Sequence, residues 1–197
     1  MVILEHHFLT TSFDVVSLFK GTDKISTFCK KLEKQASKDT GRYPFEKYIG
    51  DGFELLVELI VKMSECDNRV GLKDYKPVLK GDNGVDVYGI NLKGEISAVQ
   101  VKYRVNSQKL LTSSGDRLDS FLSEAMFNGV FPETEDKCKR HYIFTTAEGL
   151  HHYTLNEKFR KSIKVFGYKE LRELLDGNTH FWQKSLETIT QNLETNK

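Results

Sequence analysis

Hydrophobic and polar positions change period along this chain, and the changes mark out its elements. Phe28 and Leu32 recur at helical spacing above a basic polar face, predicting a helical opening over the first forty residues that ends at Gly41 and Pro44. In "EKYIGDGFELLVELIVKMSECD", Phe53, Leu56, Val57, Ile60 and Val61 form one apolar stripe, an amphipathic helix with Asp51 near its start. Glu54 and Glu58 stand one turn apart on the same side, and helical carboxylates are ordinarily solvated.

Beyond residue 80 the period shortens toward two. "VDVYGI" and "EISAVQVKYR" read as strands, joined by "NLKG", whose Asn and Gly suit a hairpin, so the two should be antiparallel. "SGDRLDSFLSEAMFNGVF" returns to helical spacing, with Asp116 as N-cap and Leu118, Phe121, Leu122 and Met126 facing a core. "RHYIFTTA" and "IKVFGY" read as further short buried strands, and "KELRELL" is a helix stopped by Gly177. This order predicts an α/β domain: a mixed central β-sheet flanked by helices. No repeat or linker interrupts it, so residues 1–197 are expected to form a single domain.

Composition narrows the classes. Hydrophobic residues are 39% and charged residues 29% of the chain, with no apolar run near the ~20 residues a membrane helix needs. The start, "MVILEHHFLTTSFDVV", is broken by Glu5, His6 and His7 and has no basic leader, so a cytoplasmic or nuclear location without membrane attachment is expected. Cys29, Cys66 and Cys138 are odd in number and scattered, which fits neither a disulfide framework nor a zinc site. With a net charge of +1, any attraction for nucleic acid must come from local clustering.

The candidate chemistry lies in "GVDVYGINLKGEISAVQVKYR". Within the second strand Val99, Val101 and Tyr103 point one way and Gln100, Lys102 and Arg104 the other. A central strand is usually apolar on both faces, so a lysine there asks for a reason. Asp86, on the partner strand, can meet Gln100 or Lys102 across the hairpin at about 5 Å. A carboxylate, an amide oxygen and a lysine, joined by Glu54, would make a hard-oxygen site for Mg²⁺ or Mn²⁺ beside a fixed cation, which suits phosphodiester hydrolysis. The alternative, left open by spacing alone, is a structural cross-strand ion pair of Asp86 and Lys102 with Gln100 on an exposed face.

Lys102, Arg104, Lys109 and Arg117 face only Asp116 in residues 102–117, so Arg104, Lys109 and Arg117 are candidate DNA-backbone contacts in a loop that could equally be only solvated. A second basic set, Lys158, Arg160, Lys161 and Lys164, reads as an extension of that surface or as a solvated helix face. His6, His7, His151 and His152 are adjacent pairs without an evident third ligand. Neither "GDG" nor "GDNG" has P-loop spacing, and no G-x-S-x-G elbow occurs. Tyr168, Phe181 and Trp182 read as core rather than a base-stacking platform.

"GDNGVDVYG" followed by "AVQVKYR" resembles the motif II and III region of the PD-(D/E)xK nuclease superfamily, in the QxK branch typified by Mrr-like restriction endonucleases. The pattern there is G-x-D-x-G-(I/V)-D and then Q-x-K; here it is matched at Gly81, Asp82 or Asn83 by offset, Gly84, Val85, Asp86, Gln100 and Lys102. The helix glutamate of that family, often "FE", is matched by Phe53 and Glu54. The resemblance covers roughly residues 45–176 and implies a restriction endonuclease-like core acting as a metal-dependent DNA endonuclease. It implies Asp86 and Glu54 as Mg²⁺ (or Mn²⁺) ligands, Gln100 in place of the usual second acid, the Val101 carbonyl completing the set, and Lys102 as catalytic lysine. It also implies a homodimer on DNA, and similarity to nuclease domains at the front of helicases implies a helicase or other DNA-processing partner. A non-cleaving DNA-binding or accessory subunit that keeps the fold is the alternative.

Overall fold

The computed structural model describes residues 2–10, 14–38, 43–63, 69–78, 84–113, 115–123, 140–151 and 161–195. Gly41, Cys66, Gly81, Asp82, Asn83, Met126, Cys138, His152, Lys158 and Arg160, singled out above, lie outside them. The chain gathers into two compact units, residues 1–69 with 171–197 and residues 70–170.

The first unit is helical. A 3₁₀ turn at His7–Thr10 precedes α1 (Val15–Phe19) and α2 (Ile25–Ala36). Asp14 caps α1 by accepting from the Ser17 N–H at 3.1 Å, and Gly21, in the left-handed region at φ 66°, ends what the sequence suggested as one helical stretch. Phe28 and Leu32 of α2 are fully buried. α3 spans Phe45–Lys62 and buries Phe53, Leu56, Val57, Ile60 and Val61, as the stripe predicts. It begins behind Pro44, so Asp51 sits in its second turn rather than at its start. The final helix of the chain, Thr179–Thr195, buries Phe181 and Trp182, and Trp182 packs against Phe19 and Phe28 while its indole N–H donates to the Leu175 carbonyl at 2.8 Å. These aromatics are core.

The second unit is built on a mixed five-stranded sheet. β1 (Lys76–Pro77), β2 (Val87–Ile90) and β3 (Ile96–Lys102) are antiparallel neighbours. After β4 (Leu110–Leu111) and the short helix α4 (Leu118–Ser123) comes β5 (Arg140–Thr145), parallel to β3. β6 (Gly149–Leu150) pairs with β4 in a separate two-stranded sheet, and β7 (Ile163–Phe166) lies parallel to β5. The order is β1-β2-β3-β5-β7. α5 (Tyr168–Leu175) then leads into α6, the Thr179–Thr195 helix.

The predicted hairpin forms with its turn at Asn91–Glu95, where the Asn91 N–H donates to the Glu95 carbonyl at 3.0 Å and Gly94 takes φ 78°. One sheet face packs under α4: Tyr88, Ile96, Ala98 and Ile143 meet Leu118, Phe121 and Leu122 in one cluster. On the other face Val99 and Val101 are buried and the Phe144 and Phe166 rings stack at 4.7 Å. β3 is therefore enclosed on both faces, as a central strand carrying parallel pairing should be. Asp116 does not cap α4 as expected, for its carboxylate is held elsewhere.

Candidate functional site

The β2–β3 register decides where Asp86 falls. Val87 pairs with Val99, so the next step of the ladder sets Asp86 opposite Gln100, and the Asp86 N–H donates to the Val99 carbonyl at 3.0 Å. Directly opposed residues share a face, so Asp86, Gln100 and Lys102 project together from one side of the sheet. Ile143 and Thr145 of β5 stand level with Gln100 and Lys102 on that side. The group lies at the C-terminal ends of parallel strands β3 and β5, the end at which open α/β sheets take ligands.

Asp86 meets Gln100, not Lys102. Its Oδ2 accepts from the Gln100 side-chain Nε2–H and, at 2.6 Å, from the main-chain N–H of Val101. No ion pair joins Asp86 to Lys102 among the described residues, which removes the structural salt bridge considered above. Gln100 is completely buried rather than exposed. Its Oε1 has no hydrogen-bond partner among the described residues, a state that costs about 1–3 kcal/mol in a buried acceptor. An unpaired amide oxygen beside a carboxylate is a donor set for a hard divalent cation, so the residues present fit Mg²⁺ or Mn²⁺. Val101 adds to it: in an extended strand the carbonyl leaves on the same edge as the N–H, and this N–H faces Asp86.

Gly84 positions Asp86. It takes φ 88°, and a Cβ there would stand 2.7 Å from the Phe121 amide nitrogen and 3.0 Å from its Cα, so the chain entering β2 runs against the backbone of α4.

Lys102 is partly exposed at the end of β3. Sequence reasoning gave no role to the pair Thr145–Thr146, yet they brace this end. The Thr146 hydroxyl oxygen accepts the Arg104 N–H at 2.6 Å and donates to the Arg104 carbonyl at 2.9 Å, and the Thr146 N–H donates to the Lys102 carbonyl at 3.3 Å. Two consecutive hydroxyls closing an apolar strand, "HYIFTTA", were the available signal.

Arg104 is engaged by its own loop. Its Nε donates to Asp116 Oδ1 at 2.9 Å, Nη2 meets the same oxygen, and Nη1 donates to the Tyr103 carbonyl at 2.7 Å. Asp116 also accepts the Thr112 N–H at 2.6 Å. Burial works to raise the Asp116 carboxyl, but the Thr112 and Arg104 donors hold it below the usual carboxylate range. Lys109 and Arg117 are exposed, Arg117 at φ 55°.

Glu54 belongs to the first unit, where its Oε2 pairs with His6 Nε2 at 2.9 Å. Its neighbour Glu58 departs furthest from the solvated expectation. It is fully buried, accepting the Glu5 and His6 main-chain N–H groups at 2.7 and 3.1 Å and pairing with Lys62 at 2.8 Å. Asp51, one turn before Glu54, receives His7 at 3.0 Å, Lys47 at 2.9 Å and the Tyr43 hydroxyl. The carboxylates of α3 thus anchor the N-terminal segment, and His6 and His7 are their partners. Among the described residues no three His, Cys, Asp or Glu side chains gather as a metal cluster. No helix among them is long and apolar enough to cross a membrane.

No family model matches the chain, and a search of curated proteins finds no relative.

Proposed function

We propose that this chain is a metal-dependent DNA endonuclease, hydrolysing phosphodiester bonds on a restriction endonuclease-like core. One arrangement carries the reading: Asp86 directly across from Gln100, with Lys102 two residues further along the same sheet face, in the order of the family pattern the sequence resembles. Asp86, the Gln100 amide oxygen and the Val101 carbonyl would hold Mg²⁺ or Mn²⁺. Glu54 joins them through the resemblance alone. When bound, the cation supplies screening of the phosphate and acidification of water.

The chain's own groups do the rest. Gln100, buried and bonded to Asp86, fixes the carboxylate in one orientation, so little reorganisation is needed when phosphate arrives. Lys102 keeps a positive charge beside the scissile phosphate, orients the attacking water and balances the charge that builds on the phosphoryl oxygens. Thr146 holds the strand end that carries Lys102. Lys109 and Arg117 offer exposed charges to the DNA backbone, while Arg104 braces the loop between them through Asp116.

A second reading, a non-cleaving DNA-binding or accessory subunit, has its own observation: among the described residues Asp86 is the one carboxylate beside Gln100 and Lys102, and it already accepts two hydrogen bonds. Cleavage of supercoiled plasmid with Mg²⁺ or Mn²⁺ separates the two. Nicking or linearisation is expected, lowered about a hundredfold or more in Asp86→Ala and in Lys102→Ala. Wild-type protein that binds the plasmid and leaves it intact under both metals would establish the accessory role.

A further inference from the structure

The second basic set of the sequence is left unused by the proposed nuclease site, and the fold gives part of it a place. Lys161 and Lys164 line a cleft of about 290 Å³ together with Lys93 and Arg140. This is the small end of the range for small-molecule sites, about 300–1,000 Å³. The cations arrive from three separate segments: the β2–β3 turn, the start of β5 and the start of β7. Arg140 is level with Ser97, three residues before Gln100, so the cleft opens toward the opposite end of the sheet, about 10 Å along β3 from the Asp86 site.

Among the described residues no acidic side chain lines this cleft itself, and Glu95 stands at its edge beside Arg140 and Lys93. Among the described residues Lys93 and Lys161 form no ion pair. Arg140 pairs with Glu95 at 3.6 Å, and its side chain is 43% exposed, which leaves the guanidinium reachable from solvent. The walls are fixed: the Tyr142 hydroxyl donates to the Gly71 carbonyl at 3.4 Å and Lys164 Nζ to the Val70 carbonyl at 3.1 Å. Burial pushes the Lys164 ammonium down. Glu95 offsets part of this charge, and the cations it leaves in surplus repel one another; an anion with oxygens spread over two centres relieves that repulsion while giving the planar Arg140 fork a further partner.

We propose that this cleft is a binding site for a small anion with linked phosphates, of the pyrophosphate class, separate from Asp86, Gln100 and Lys102. A nucleic-acid backbone carries the same chemistry, but a strand is served by an extended groove, whereas a concavity of about 290 Å³ matches the size of one small ligand.

Inorganic pyrophosphate titrated calorimetrically into the full chain at low ionic strength, with chelator present so that no divalent cation contributes, tests the site apart from the nuclease reading. Saturable binding is expected, weakened about tenfold or more by Arg140→Ala and by Lys161→Ala, and unchanged by Lys30→Ala on the exposed face of α2. Thermal unfolding of each variant verifies that the fold is kept. Absence of saturable binding, or equal weakening in Lys30→Ala, overturns the proposal. Displacement of pyrophosphate by a short single-stranded oligonucleotide without terminal phosphates would also overturn it, reassigning the cleft to a nucleic-acid backbone.

Discussion

His141 shows how far one residue's environment can depart from what its neighbours in sequence suggest. It is 4% exposed, lies edge-on to Phe121 with the rings 6.1 Å apart, and neither ring nitrogen has a hydrogen-bond partner among the described residues. Burial pushes its pKa below the ordinary 6.5. The unfolded chain therefore takes up a proton near pH 6.5 that the folded chain refuses until lower pH. Stability from neutral His141 is complete above 6.5 and declines as pH falls from there toward the depressed folded value. Denaturant titrations across that window should show the decline, and His141→Leu should flatten it while raising unfolding free energy by about 1 kcal/mol, since two unpaired buried nitrogens are removed. A slope unchanged in the variant would place the acid sensitivity elsewhere. Gln100 carries a similar burden in its unpaired Oε1, but there the partner carboxylate of Asp86 is adjacent, which is what distinguishes a candidate ligand from a core histidine.

Among the elements, the entry into β2 is where local geometry and candidate chemistry meet. Gly84 stands two residues before Asp86 in the left-handed region, against the Phe121 backbone. Gly84→Ala adds a methyl group that the main chain of α4 cannot yield to, and it strains the backbone as well. A loss of about 2–4 kcal/mol is expected, from strain plus overpacking, together with displacement of Asp86 and a fall in cleavage larger than the loss of folded protein accounts for. Chemical denaturation and plasmid nicking on the same preparation check both parts. α3 shows the opposite lesson. Its apolar stripe was legible because burial repeats every 3.6 residues, but the fate of Asp51, Glu54 and Glu58 was not, because their partners come from His6 and His7 and from main-chain groups 52 and 53 residues away.

For the whole molecule, near-neutral charge means that the DNA affinity proposed for it would have to come from a few placed cations. If the 102–117 loop contacts backbone, removing Lys109 or Arg117 should lower the slope of log affinity against log salt by about one each. Arg104→Ala should instead cost folding stability, since it leaves Asp116 without its guanidinium partner. Binding isotherms at several salt concentrations, with thermal melts alongside, discriminate the two behaviours. The sequence by itself determined the α/β class, the antiparallel hairpin, the buried strand β5 and the face shared by Gln100 and Lys102, because alternation and helical spacing are local and follow from backbone geometry; β7, expected to be buried as well, is the edge strand and buries only Phe166. Only the tertiary structure decided which polar groups were spoken for. It opposed Asp86 to Gln100, took Arg104 into the loop through Asp116, buried Glu58 under the N-terminal segment and gathered Lys93, Arg140, Lys161 and Lys164 around one cleft. Such partners lie far apart along the chain, and the periodicity of a segment carries no information about what packs against it.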